Sequence, residues 1–416
     1  MHDTRLRLTD LNVDCLLLVF KYCSEGDLLC LCLASRYLED IIDRYIFYPL
    51  SLDLLLCGNR NRPSIEKRNR KRLTNYERIQ VSKNWVSGTY LERPYFHHAQ
   101  MFPTKLCLEH DALYITHAAY LRKYRRSSCD ILQRRFEKEI STSTNSDISH
   151  FVKKKNTIFA GRVCGSCFHY DPEGITEQRM HPANEYLFCV DFVQDLYATS
   201  TDHCSKLWQR SQEFGLTHFD MVTKLPHAFK SMQLSPDGQW LYGGLYTDND
   251  GQALRAIHVE SGEELVLNSA TKSIYDLKMK DDQVLFTANF DTSFRMFDRR
   301  IDRDVAIWED PFDSSFYCLE HDGLYAVLVG SCRHARVNLY DIRMPKYVQL
   351  YFPGRTRQHN GFSPVYSLSC DSQYMFVATD HNLRVFDFKA SCGIRRDYSK
   401  IGSSIPNVSD GMRRVC

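Results

Sequence analysis

Apolar side chains crowd the first fifty-odd residues more densely than two or three short helices can hide. Val13, Leu16, Leu17 and Phe20 recur at helical spacing, so a first helix is predicted from Val13 to Tyr22. Leu18 and Val19 widen that face beyond an amphipathic stripe. Ser24 to Asp27 reads as a turn, with Asp27 placed to cap a second helix through LLCLCLA. A third helix carries Tyr37, Leu38, Ile41, Ile42 and Tyr45, and Pro49 stops or redirects it. So short a segment builds only a thin core of its own. Because it is apolar on several sides, it is predicted to pack against another protein chain.

The pattern changes twice further on. Residues 1–10 are polar and are expected to be flexible, and the helical segment covers 11–57. Residues 58–77 form a basic linker, with GNRNRPSIEKRNRKR at 58–72 opposed only by Glu66. From Arg78 the helical period is gone, and short alternating runs bounded by Asp, Gly, Asn or Ser follow to residue 389. A surface loop is expected at 141–150, and the Ser-, Gly- and Arg-rich stretch 390–416 reads as a flexible tail.

The alternating region repeats one ending. DHCSKLWQ, DTSFRMFD, HARVNLYD and DHNLRVFD carry aromatic anchors at Trp208, Phe297, Tyr340 and Phe386. Weaker copies place Tyr124, Tyr170 and His258 in the same role. The steps between successive anchors are 46, 38, 50, 39, 43 and 46 residues, close to the ~40–45-residue unit of a four-stranded propeller blade. Asp202, Asp291 and Asp380 each stand six positions before an anchor. An Asp in the tight turn between two strands can bond its own backbone or accept from a neighbouring His. The aromatic then lies on the next strand and packs between blades, and Asp298, Asp341 and Asp387 end that strand. The last copy offers three strands, VYSLSC, YMFVAT and LRVFDF, and lacks a fourth. The segment NWVSGTYLERPYF at 84–96 has no blade of its own and is predicted to close the ring as the missing outer strand. The fold class is α+β by chain: a small N-terminal helical module, then an all-β, seven-bladed propeller at 78–389.

Composition narrows the function. The net charge of +2 over 416 residues predicts neither a nucleic-acid binder nor an acidic-surface protein. No apolar run reaches bilayer length, so no membrane partner is expected. The start, MHDTRLRLTD, has no apolar segment behind a basic stretch. Hence the 16 cysteines are read as free thiols in a reducing compartment, the cytoplasm and/or the nucleus.

Candidate chemistry is sparse. Cys164 and Cys167 are the one tight cysteine pair, without a second pair at zinc-finger spacing. They fall where other copies place the turn Asp, so a hairpin role is expected, with metal or redox use as the alternative. His97, His98, His203 and His381 read as turn and surface histidines. Gly243 and Gly244 read as a bend within a blade. Asp281-Asp282 and Glu263-Glu264 read as solvated turns. No phosphate loop or nucleophile elbow is present, so no catalytic residue, metal or cofactor is expected. Lys206, Arg295 and Arg384 each precede a strand aromatic by two and share its face. They are read as packing between blades, although any of them could reach a partner.

The N-terminal stretch LNVDCLLLVFKYCSEGDLLCLCLASRYLEDIID resembles the F-box, a helical module that docks on the Skp-family adaptor of a cullin-RING ubiquitin ligase. Leu11, Leu16, Leu17, Phe20, Leu28 and Leu31 stand where that family places adaptor contacts or the core beneath them. Two positions depart: Asn12 replaces the usual Pro, and Tyr37 the usual Trp. Followed by the repeats, the chain resembles the F-box/WD-repeat substrate receptors over residues 8–389. The resemblance implies a non-catalytic substrate-recognition subunit of an SCF-type ligase. Its F-box would bind the adaptor and, through it, a cullin and a RING subunit. Its WD40 propeller would hold an unknown protein substrate for ubiquitination and proteasomal degradation. Arg residues read phosphate well, which makes Arg295, Arg336 and Arg384 the substrate-binding candidates. Two other readings stay open: a plain propeller scaffold, and an RNA-associated propeller using the basic residues 60–72, which could also serve nuclear import.

Overall fold

The computed structural model describes residues 7–60, 63–97, 103–127, 131–213, 216–353, 363–380, 382–390 and 392–400. Of the expected flexible ends, 1–6 and 401–416 lie outside this set. Leu8–Asp10, expected to be flexible, instead forms a 3-10 turn, and Leu8 packs on the helical core.

The apolar start folds into α1 (Val13–Phe20), α2 (Glu25–Ala34) and α3 (Arg36–Ile42). A wider π turn at Asp43–Phe47 and α4 (Tyr48–Leu50) extend α3, with Pro49 tolerated in a first turn where its missing N–H costs nothing. Asn12 caps α1 by accepting from Cys15 N at 2.8 Å, a job the family's proline could not do. Ser24, rather than Asp27, caps α2. Asp27 sits three residues in and reciprocates, accepting from Ser24 N at 2.8 Å while its own N donates to Ser24 Oγ at 3.2 Å. Leu16, Phe20, Leu28, Leu38, Ile41, Ile42 and Phe47 form the core, and Ile79 reaches in from further along the chain.

That contribution comes from a helix where strands were expected. After α5 (Pro63–Arg68), α6 runs Asn75–Ser87, capped by the Thr74–Glu77 pair at 2.9 and 3.2 Å. The helix buries Arg78, Ile79, Val81, Ser82 and Trp85, a mixed set that hides the helical period. Gly88 ends it at φ +67°, where a Cβ would meet Arg396 O at 2.3 Å, so only glycine fits.

Seven antiparallel four-stranded blades follow, six of them from consecutive strands. Blades one to six span 106–140, 148–179, 187–225, 229–266, 274–309 and 316–351. The loop between the first two is shorter than expected, because the strand Ile148–Lys154 begins within it. The seventh blade takes Ser367–Cys370, Tyr374–Ala378 and Asn382–Asp387 from the end of the repeats and Thr89–His97 from their beginning. Leu91 pairs with Asp387 and His97 with Asn382. The tail adds a fifth strand, Ile394–Arg395, against Thr89–Tyr90, so residues 392–400 are ordered against expectation. All seven aromatic or His anchors lie on the third strand of their blade.

Blades pack closely because the second strand keeps small residues facing the next blade. A Cβ on Gly244 would lie 2.5 Å from Ile274 Cβ of the next blade, while one on Gly243 would strike the ring of Phe229 in its own blade at 2.4 Å. These glycines serve close packing rather than a bend.

Candidate interaction surfaces

The helical head is fixed to one face of the propeller, the face made by turns between first and second strands. Leu55, Leu56, Cys57, Ile65, Leu73, Val81 and Trp85 share one core with blades six and seven. Trp85 stacks on Phe388 at 3.5 Å and donates its Nε1–H to Ser372 O at 2.9 Å, while Asn84 donates to Phe388 O at 2.7 Å. Leu56 N donates to Asp322 Oδ2 at 3.1 Å, and Asn69 and Ser372 exchange bonds at 2.9 and 3.1 Å. The basic stretch is docked in part: Arg68 turns into the propeller, while Arg60, Lys67, Lys71 and Arg72 stay exposed. Arg68 pairs with Glu320 at 3.0 Å, and buried Arg78 donates to Cys57 O at 2.9 Å. Arg68 and, beyond the stretch, Arg78 thus face the protein.

The six sequence-assigned adaptor residues turn inward. Leu16, Phe20 and Leu28 are buried, and Leu11, Leu17 and Leu31 are half-buried against them. Outward-facing apolar residues lie on the opposite side of the same helices. Cys15, Leu18, Val19 and Tyr22 stand at i, i+3, i+4 and i+7 along and just beyond α1 and are all exposed. Leu33 on α2 is 90% exposed and Tyr22 92%. Tyr37, the departure from the family's Trp, is also exposed. The twofold apolar period of LNVDCLLLVFKY carried this signal, since one stripe fills the head and the other is left over.

The three arginine candidates for substrate contact do not converge on a surface. Arg295 lies between Asp291 and Asp304 at 2.7 and 2.8 Å. Arg336 is fully buried against Asp310, and Arg384 pairs with Glu92 at 2.9 Å. Each joins strands or loops internally, which leaves no shared guanidinium surface. Lys206 likewise donates to Met180 O at 2.9 Å.

The repeat residues form structural networks. Asp202 accepts from Tyr186 N at 2.9 Å and lies 2.8 Å from His203 Nδ1. Asp291 accepts from Ser293 N and Oγ at 3.2 and 2.5 Å, and Asp380 accepts from Ser363 Oγ. Trp208, Phe297 and Phe386 are buried. His381 lies outside the described residues. In blade three, buried His181 bonds Thr199 Oγ1 at 2.7 Å and Glu185 at 3.2 Å, and Trp208 Nε1–H donates to the same Thr199 oxygen at 2.8 Å. His181, Glu185 and Cys204 offer ligand atoms within 4.8 Å of one another. Both nitrogens of this histidine are already engaged, so the cluster reads as a blade-locking network. Cys164 sits in a hairpin turn. Burial pushes its thiol up, but hydrogen bonds with Ser146 and Ser166 outweigh that and hold it below the usual range. Cys167 is buried and pushed up.

The face opposite the head carries the mouth of the central channel. Tyr186, Phe188, Lys230, Tyr275, Tyr317 and Tyr366 line it at the start of the first strands.

This arrangement, an F-box-like helical head followed by a WD40-type propeller, defines an adaptor or scaffold class. No family model matches the chain. It is 24% identical to F-box/WD repeat-containing protein 4 of Mus musculus over 324 residues, covering 75% of this chain and 77% of that protein. It is also 24% identical to the Homo sapiens protein of the same name over 321 residues, again 75% and 77%. The homology is distant and supports the broader F-box/WD-repeat family rather than close identity with one member. Fold and homology are together consistent with a non-catalytic role. No helix among the described residues is long and apolar enough to cross a membrane.

Proposed function

We propose that the chain is the substrate-recognition subunit of an SCF-type ubiquitin ligase, acting in the cytoplasm and/or nucleus. Its head binds a Skp-family adaptor, which brings a cullin and a RING subunit. Its propeller holds a protein substrate for ubiquitination. The observation that carries this reading is the spare apolar stripe of α1, Leu18, Val19 and Tyr22, on a head otherwise locked to the propeller. A rigid head holds the substrate at a defined distance from the transfer machinery. The receptor then contributes effective concentration and orientation and makes no bond itself.

The test is direct binding of the purified chain to a Skp-family adaptor. Wild type is expected to bind, and a Leu18→Asp, Leu33→Asp double variant to lose about thirtyfold or more in affinity while staying folded. Leu16→Asp is the unfolding control, because that side chain is fully buried. Absence of binding by folded wild type would overturn the ligase reading and leave a propeller scaffold.

A further inference from the structure

A cavity of about 420 Å³ opens at the seam between blade seven and blade one and shares no lining residue with the channel mouth. Phe96 comes to it from the strand that closes the ring, and the rest of the lining from blade one. The floor is aromatic: Tyr124 lies between Phe96 and Phe136, with ring centroids 5.4 and 6.4 Å away. Tyr124 Oη stands 3.1 Å from His117 Nε2, which gives this floor a polar edge. Phe136 is 45% exposed, so its ring has free surface to offer.

The rim is cationic. Gln133 N donates to Arg125 O at 2.9 Å and Glu137 N to Lys123 O at 2.7 Å. Between these two anchors the chain advances four residues while the facing strand advances two, so Arg134, Arg135 and Phe136 stand out as a bulge over the cavity. Both arginines are exposed, and among the described residues neither has a carboxylate partner. The nearest carboxylates are committed, Glu139 to Arg122 at 2.7 Å and Glu137 to Lys123 at 2.9 Å. Arg122 itself lies over the Phe136 ring, 4.8 Å from its centroid. A cationic ligand would meet the guanidinium groups of Arg122, Arg134 and Arg135 with no carboxylate to spare. A bare inorganic anion would leave the rings unused, and an apolar ligand would leave the arginines unused. A planar ring carrying a phosphate uses both, since aromatic side chains stack on any base and arginine forks onto phosphate. The floor is wider than one benzene ring, and its Tyr124 and His117 edge favours a ring that bears hydrogen-bonding atoms of its own.

We infer that this seam cavity binds a nucleoside phosphate, with the base on the Phe96, Tyr124 and Phe136 floor and the phosphate on Arg134 and Arg135. The same chemistry is carried by a free nucleotide and by a strand of RNA. The inference stands apart from the ligase reading, which uses the head. Because the ligand touches both the ring-closing strand and blade one, its binding stabilises the closed ring by mass action.

The probes are adenosine and uridine 5′-monophosphate, adenosine, ribose 5-phosphate, phenyl phosphate and a short single-stranded RNA, each titrated calorimetrically into the full chain. At least one monophosphate is expected to bind at least about tenfold better than adenosine and than ribose 5-phosphate. The Arg134→Gln, Arg135→Gln double variant should bring it down to the level of adenosine. Phe136→Ala should weaken monophosphate and adenosine alike, and Lys346→Gln, on an exposed turn of blade six, should change neither. All these side chains are exposed, so an unaltered urea midpoint certifies that each variant is folded. RNA that binds at least about tenfold more tightly than the monophosphate, and loses that advantage in the double variant, marks a strand as the source. Any other RNA result, beside a monophosphate that binds as expected, marks the free nucleotide. Monophosphates that bind no better than adenosine or ribose 5-phosphate, binding retained in the double variant, or tighter binding of phenyl phosphate would overturn the inference.

Discussion

Arg68 of α5 donates to Glu320 Oε2 at 3.0 Å, so a residue from the basic stretch ahead of the propeller ends inside the propeller's base. Glu320 also meets Lys278 at 3.6 Å and accepts from Ser369 Oγ at 3.2 Å, and thus gathers blades five, six and seven around the helix. Arg68 and Lys278 hold the Glu320 carboxyl down to about 2 despite its burial. Glu320→Gln would leave two cations facing a neutral amide. The expected cost is about 3 kcal/mol, read from the urea midpoint. Amides of α5 and α6 should exchange faster in the variant. An unchanged midpoint would mean that the head is held by apolar contact alone.

Trp85 closes the seam where the chain's beginning meets its end. Its ring stacks on Phe388 and meets Tyr351 edge-on at 5.8 Å, and Tyr351 Oη–H donates to Trp85 O at 2.7 Å. Trp85→Ala is expected to cost about 3–5 kcal/mol through the cavity it leaves. Trp85→Phe keeps much of the packing but removes the stronger of two donors to Ser372 O, leaving Cys57 Sγ at 3.4 Å, for about 1 kcal/mol. Equal losses in the two variants would assign the whole effect to the hydrogen bond.

Thr199 separates structural from peripheral repeat residues. Its one hydroxyl serves both His181 and Trp208, and all three side chains are buried. Thr199→Val leaves two polar groups unpaired, at a cost of about 2–3 kcal/mol. Asp202 lies in a more exposed turn, and Asp202→Ala should cost less than about 1 kcal/mol. Denaturant midpoints that reverse this order would place the blade lock at the turn.

These two residues also show where a linear reading works and where it stops. The blade anchors were legible because a third strand must put its aromatic between blades at a fixed interval, whatever the loops do. Closure by the N-terminal strand was legible because an unpaired edge demands a partner. The inner stripe of α1 was indistinguishable from the outer one, since Leu16 and Leu18 are the same residue type and only packing says which is inside. Arg336 and Arg384 looked available because their partners stand 26 and 292 positions away, and Arg295 because one of its two partners, Asp304, lies on the next strand. α6 escaped notice because its docking buries Arg78 and Ser82 beside Trp85, and a helix that buries polar residues shows no apolar period. The seam cavity had no local signal, since Phe96 stands on the ring-closing strand while Tyr124 and Phe136 belong to blade one.

Acid should loosen the fold in two stages. Burial is the leading cause that pushes His150 down to about 3 and His181 and His321 down to about 4. A histidine lowered in the folded state is neutral there while the unfolded chain takes up protons. Its stabilisation is therefore fully present above the ordinary value near 6.5 and is lost as pH falls toward 4. Each such group contributes a slope of up to about 1.4 kcal/mol per pH unit within that window. Glu320 acts later. Its lowered carboxyl stabilises the fold above the usual carboxylate value of 4.5, and that contribution falls away as pH drops through about 2. The urea midpoint should thus stay flat between about pH 7 and 8, decline from about pH 6.5, and decline further below about pH 4.5. His150 only accepts one backbone bond, from Val190, through its Nδ1. His150→Asn keeps a side-chain acceptor and cannot titrate, so it should flatten the upper part of the decline while leaving the lower part intact. A midpoint that holds steady from pH 7 to 5 would show that these histidines are hydrated in solution, and the burial that sets their charge state would have to be reassigned.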